Sequence, residues 1–318
     1  MADSPKYISH GAYGCILRPN ISCKNKKESE SNKISKIFED HENAKKEIKS
    51  QKKMKKIDPY SEFTVNMFDY CQADIDPVYN EIRKCPNFDS KLQGKYTQII
   101  YEYGGIPLSL AINKVDPMIL FPAFGNLLKG LIVMKKHKQC HLDIKPDNIV
   151  FNLETKKMAF IDFGLTTHFK RVYDKRNMFV LSSSYAYYPP EFQIGAAHVQ
   201  KKELDEFDID FIDVEAMQIY NELKKFINKF YIEKHWMEVY VNFTELVHKR
   251  ENLKQFLVPS AIDLYSLGIT MLKLLATRNA KFGLAGDILL FIRQLINPNP
   301  LLRPSAEDAF ANYKKIWK

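Results

Sequence analysis

Two short stretches of this chain hold side chains suited to moving a phosphoryl group. His141-Leu-Asp-Ile-Lys-Pro-Asp-Asn148 supplies carboxylates, an amine and an amide, and Asp162-Phe-Gly164 begins fourteen residues after Asn148. Transfer from a magnesium nucleotide needs positioning and charge neutralisation more than covalent help. Asp143 is suited to accept the proton of an attacking hydroxyl, and Lys145 to stabilise charge on the group in transfer. Asn148 and Asp162 offer oxygen ligands, which a hard cation such as Mg²⁺ prefers. The apolar runs Ile149–Phe151 and Met158–Ile161 read as two short strands joined by the turn at 152–156. An ordinary hairpin with incidental acids is the bland alternative.

The two motifs resemble the catalytic loop and the metal-binding motif of the protein-kinase superfamily, in that family's order and spacing. The resemblance runs from Tyr7 to about Phe310. Ser9-x-Gly11-x-x-Gly14-x-Ile16 resembles the loop that covers the nucleotide, with Ser9 where the first glycine usually stands. Glycine lets backbone approach phosphate without a Cβ in the way. Asn32 to Phe38 resembles the strand whose lysine contacts phosphates, with Lys36 at that position and Lys33, on the opposite face, as competitor. Asp40 to Ile57 reads as a helix, from which Glu47 is expected to fix the Lys36 ammonium; Glu42 is the alternative. Gln98 to Gly105 resembles the last strand and hinge of the small lobe. There the resemblance implies that Tyr101 borders an adenine pocket and that the backbone of Glu102, Tyr103 and Gly104 bonds the adenine edge.

The architecture implied is α+β and bilobal: a small, mostly antiparallel β lobe with one helix over 1–103, and a larger, mostly helical lobe over 104–318. The stretch 73–95 reads as an insertion or long loop without an assigned role. Apolar residues at helical spacing over 121–138 lead towards the catalytic loop. Tyr188-Pro-Pro-Glu191, Asp263-Leu-Tyr-Ser-Leu-Gly268 and Asn297–Pro304 resemble later family motifs, the second as a helix start. The family implies a buried structural ion pair between Glu191 and Arg303.

The chain also departs from the pattern. Leu142 stands where most of the family has Arg, which removes a bidentate partner for an activation-segment phosphate. Glu191 and Asp263 are 72 residues apart, far more than the family's usual interval, and the extra material at about 199–258 reads as helical. Its acids, among them Asp205, Glu206, Asp208 and Asp210, suit basic protein substrates; a replacement for lost core is the plainer reading. Lys145-Pro146 and Ser184 resemble the serine/threonine class, and the whole looks like serine/threonine-protein kinases of large DNA viruses. ATP and Mg²⁺, with Mn²⁺ as a substitute, are the implied cofactors. The competing readings are a pseudokinase acting as a binding scaffold and a small-molecule or lipid kinase.

Composition bounds the rest. The 318 residues, 45% hydrophobic, fill two lobes comfortably. No uninterrupted apolar run reaches the ~18–20 residues of a membrane span, and the N-terminus lacks a signal pattern. Five cysteines at these spacings suit neither a zinc site nor a disulfide framework, which points to a reducing, cytoplasmic setting: host cytoplasm or virion, if viral. The net charge of +9 is concentrated in Lys24 to Lys56, with twelve lysines and six acids. That stretch is either a solvated face or a dock for acidic substrates, nucleic acid or an anionic membrane. It lacks interleaved aromatics, which argues against nucleic acid.

Overall fold

The computed structural model describes residues 4–11, 14–25, 29–86, 88, 96–172, 187–189, 192, 258–277, 285–297 and 299–317. Ser184, Glu191 and, apart from Val258, the insertion at about 199–258 lie outside the described residues. Two compact units emerge: Met1–Gly105 with Ile161–Gly164, and Ile106–Phe160 with Leu165–Lys318. The Asp-Phe-Gly motif thus belongs to the first unit, although it follows the catalytic loop in sequence.

In the first unit β1 (Lys6–Gly11), β2 (Gly14–Arg18), β3 (Lys33–Phe38), the helix α1 (His41–Ile57), β4 (Met67–Gln72), the short helix α2 (Tyr79–Ile82) and β5 (Thr97–Glu102) follow in sequence. The strands pair antiparallel in the order β1-β2-β3-β5-β4. The Asp40 carboxylate starts α1 by accepting the Glu42 amide at 2.8 Å. Ala44 and Ile48 bury one side of α1 against Phe38, Ile99 and Tyr101. The opposite sheet face, with Cys15, Leu17 and Ile37, packs on Ile75, Val78 and Ile82.

The stretch 73–95 is therefore no plain loop over its described part. It supplies a 3₁₀ turn (Asp76–Val78), α2 and a share of the core. The cysteine reading is also corrected. Cys15 is disulfide-bonded to Cys85 and Cys23 to Cys71, with Cα separations of 6.0 and 5.9 Å. Cys140 remains a buried free thiol.

The second unit opens with β6 (Ile106–Pro107), α3 (Leu108–Lys114) and α4 (Pro117–Lys136). Then come β7 (Gln139–Cys140), β8 (Ile149–Phe151), β9 (Met158–Phe160), β10 (Thr167–His168), α5 (Pro259–Thr277), α6 (Ala285–Leu295) and α7 (Ala306–Ile316). β8 pairs with β9 as the apolar runs predict, β6 adds to β8, and β7 pairs with β10. By length and composition alone, the 20-residue α4 is apolar enough to cross a membrane. Its Leu120, Phe121, Phe124, Leu127, Leu128 and Leu131 are buried, as in the central helix of a globular unit. α5 starts at Pro259, so Asp263 lies inside the helix and not at its start. At Gly268 a Cβ would sit 2.7 Å from Ile296 and 2.8 Å from Leu295, so only glycine allows α5 to approach so closely.

Candidate active site

In the first unit, strand alternation selects Lys36. It shares the β3 face of Ile34 and Phe38, which carry the core beneath α1. Its buried ammonium donates to Glu47 Oε2 at 2.6 Å and lies 3.8 Å from Asp162 Oδ2. Lys33 instead meets Glu30 at 2.5 Å and lies over the Phe68 ring. Glu42 pairs with Lys45, at 2.8 Å, on the exposed side of α1.

The second oxygen of Glu47 is engaged as well: the Tyr101 hydroxyl donates to Oε1 at 2.6 Å. Burial, and then the Glu47 charge, push the Tyr101 phenol well above its ordinary value, which keeps the hydroxyl a donor. Tyr101, expected to border adenine, thus also holds the Glu47 carboxylate. The alternation that sets Tyr101 on the same strand face as Ile99, towards α1, would have revealed this.

Asp162 adopts a left-handed backbone, φ 60°, and its Oδ1 accepts the Gly164 amide at 3.3 Å. In the loop-bearing hairpin, Ser9 pairs with Ile16 and Gly11 with Gly14, with an irregularity between Tyr7 and Ser9. A Cβ on Gly14 would meet the Ile37 carbonyl oxygen at 2.5 Å, whereas one on Gly11 would meet nothing within 4 Å. Gly14 is therefore required by the sheet, and Gly11 faces open space. At the hinge, the Glu102 amide donates to Asn66 at 3.0 Å and the Tyr103 amide to Asn32 at 2.8 Å. Those two N–H groups are bonded to the protein's own backbone. Gly104 is half-buried, and Gly105 takes φ 118°.

In the second unit, Asp143 is held on two sides. Asn148 Nδ2 donates to Asp143 Oδ2 at 2.6 Å and to its backbone oxygen at 2.9 Å, while Lys145 Nζ lies 3.1 Å from Oδ1. The Asp143 amide donates to His141 Nδ1 at 3.2 Å, so this nitrogen carries the lone pair. Sequence reasoning gave Asp263 only a motif role. Its buried carboxylate accepts the amides of His141 at 2.7 Å and Leu142 at 3.0 Å. Tyr188 adds a second brace, its hydroxyl donating to the Leu142 carbonyl at 2.8 Å. Leu142 takes φ 62° and buries its side chain with Cys140, Val172, Tyr188, Phe192 and Ile262. Arg303 donates to the carbonyls of Asn297 at 2.6 Å and Ala261 at 3.2 Å; its expected partner Glu191 lies outside the described residues.

A braced carboxylate with an adjacent lysine and amide, and a buried Lys–Glu pair beside an Asp-Phe-Gly carboxylate, are shared with a known family. The protein kinase domain matches residues 6–313. The chain belongs to the protein kinase family. Among curated proteins, this kinase resembles the probable serine/threonine-protein kinase fnkB of Dictyostelium discoideum, with 28% identity over 134 residues. The match covers 39% of this kinase and 25% of that protein, so the chain spans about a quarter of its relative's length.

Proposed function

We propose that this kinase transfers the γ-phosphoryl group of ATP, in a Mg²⁺-dependent reaction, to serine or threonine hydroxyls of protein substrates. The observation that carries the reading is the Asp143 carboxylate, held by Asn148 at 2.6 Å and Lys145 at 3.1 Å. A fixed carboxylate suits a general base for a hydroxyl proton. Lys145 suits charge stabilisation on the phosphoryl in transfer, and Lys36, fixed by Glu47, suits the nucleotide phosphates. The open space at Gly11 fits backbone approach to phosphate.

Asn148 in the second unit and Asp162 in the first each carry a side-chain oxygen of the kind a hard cation takes, and a bound Mg²⁺ would neutralise charge on the nucleotide phosphates. The serine/threonine preference is supported by Lys145-Pro146 and by the named class of the fnkB relative. The acidic run containing Asp205, Glu206, Asp208 and Asp210 favours basic protein substrates through electrostatic steering.

Incubation with γ-labelled ATP, Mg²⁺ and a basic protein, followed by acid hydrolysis, tests the reading. Labelled phosphoserine or phosphothreonine is the expected product. Nucleotide binding without transfer would replace the proposal with a scaffold role; phosphotyrosine would refute the specificity.

A further inference from the structure

The peptide group between Leu142 and Asp143 is gripped at both ends. Its N–H donates to His141 Nδ1 at 3.2 Å, and its carbonyl accepts the Tyr188 hydroxyl at 2.8 Å. Leu142, which leads into it, holds φ 62°, a conformation that a branched residue keeps only where its surroundings over-determine it. Asp263 secures the amide side of Leu142, and Tyr188 secures the carbonyl side. The Tyr188 ring is buried with Leu142 and Ile262, its centroid 4.9 Å from that of Phe192. Burial, and then the Asp143 charge, raise the Tyr188 phenol above its ordinary value, so the hydroxyl stays a donor. The neighbouring residue is tied down as well: Ser266 Oγ donates to the Tyr187 carbonyl at 2.8 Å. Ser266 and Asp263 are three residues apart on α5, which sets them on one side of the helix. One helix thus holds the turn twice, directly through Asp263 and indirectly through Tyr187 and Tyr188.

We propose that Tyr188 is a positioning residue for Asp143, acting through the Leu142 carbonyl, and that it ties the setting of this carboxylate to the seating of residues 187–189 on α5. The inference rests on the phosphoryl-transfer reading above. Rotation of the 142–143 peptide group carries the Cα of Asp143 with it, and so displaces the carboxylate. Asn148 and Lys145 hold the carboxylate itself, but they belong to the same loop. Tyr188, 46 residues after Leu142, is an anchor from outside that loop. A general base works only within about 2.6–3.2 Å of the proton's heavy atom, and a displacement of about 1 Å is enough to slow transfer strongly. The Lys36–Glu47 pair lies in the first unit and has no bond to Tyr188, so the grip on nucleotide phosphates is left alone.

The test is a double-mutant cycle between Tyr188→Phe and Asp143→Asn in the full chain, read as transfer from labelled ATP to a basic protein and normalised to folded enzyme. Tyr188→Phe keeps the ring and deletes the hydroxyl. It should lower kcat by about 10- to 100-fold and leave the KM for ATP within about twofold. In the Asp143→Asn background the same change should cost less than about threefold, because a residue that acts through Asp143 has nothing left to position. Ser266→Ala, which frees the Tyr187 carbonyl and spares Tyr188, should show a smaller kcat loss that also vanishes in that background, and it carries the test if Tyr188→Phe does not fold. Tyr313→Phe is the control. It deletes another buried tyrosine bond to a backbone carbonyl, that of Phe121, outside the cluster around Leu142. It should lower Tm and leave kcat near the parent's. An undiminished kcat in Tyr188→Phe, an equal loss in both backgrounds, or the same loss in Tyr313→Phe would each overturn the inference while the phosphoryl-transfer reading stands. A parent protein that transfers no label would end both.

Discussion

The carboxylate of Asp263 accepts the backbone amide of His141 at 2.7 Å across 122 residues of sequence. Its other oxygen takes the Leu142 amide, so one side chain of α5 holds the turn that presents Asp143. Removing it in Asp263→Ala leaves two buried donors unmet, at ~1–3 kcal/mol each. Burial raises the Asp263 carboxyl above its ordinary 3.8, outweighing the lowering influence of His141 and of the two amide bonds. For a raised folded pKa, the group's contribution to stability is complete below the unfolded value and is lost as pH rises through the folded one. The stability of wild type relative to Asp263→Asn should therefore fall as pH climbs from about 3.8 through the raised value, then level off. Urea midpoints measured across that window check this; a difference that grows with pH would contradict it.

Asp143→Asn should lower phosphoryl transfer by ~10²–10⁴-fold while nucleotide affinity stays near the parent's. The carboxylate, held by Asn148 and Lys145, is the proposed base for the attacking hydroxyl. Steady-state rates and ATP titration separate the two effects. Activity within a few-fold of the parent would remove Asp143 from its role.

Lys36→Met should abolish most activity, and Lys33→Met should not. Lys36 is buried against Glu47, whereas Lys33 meets Glu30 on the other face of β3. Tyr101→Phe should give a milder loss than Lys36→Met, because it deletes one hydrogen bond to Glu47, worth ~1.5–3 kcal/mol when the acceptor is charged. Kinetic constants for ATP in the three variants test the ordering.

Leu142 sits in an apolar cluster with a backbone that few non-glycine residues adopt. Leu142→Arg would bury an unpaired charge and should cost at least ~3 kcal/mol, seen as a large fall in Tm. No guanidinium waits at 142 for a phosphate, so phosphatase-treated protein should keep most of its activity. A dephosphorylated enzyme that is inactive until rephosphorylated would contradict this.

Much of the small unit was legible because strand and helix periods are short. Lys36 shares parity with Ile34 and Phe38, and Glu47 shares a helix face with the buried Ala44, Gln51 and Met54. Those local repeats bring the pair together before any tertiary information is used. Long-range partners were not legible. Cys15 and Cys85 are 70 residues apart, and Cys23 and Cys71 are 48 apart. Spacing alone carries no information on whether two Cβ vectors will face each other. The Asp263 brace was hidden similarly, since a motif read as a helix start gave no direction for its carboxylate.

The two disulfides are nested, with Cys23–Cys71 inside the interval closed by Cys15–Cys85, and Lys36 and Glu47 inside both. A protease that nicks the chain once between β3 and α1 would place these two residues on separate polypeptides. Two covalent bonds would still join the pieces. On a gel without reductant such a molecule migrates as one species, and only thiol treatment parts the lysine-bearing piece from the one that carries its carboxylate.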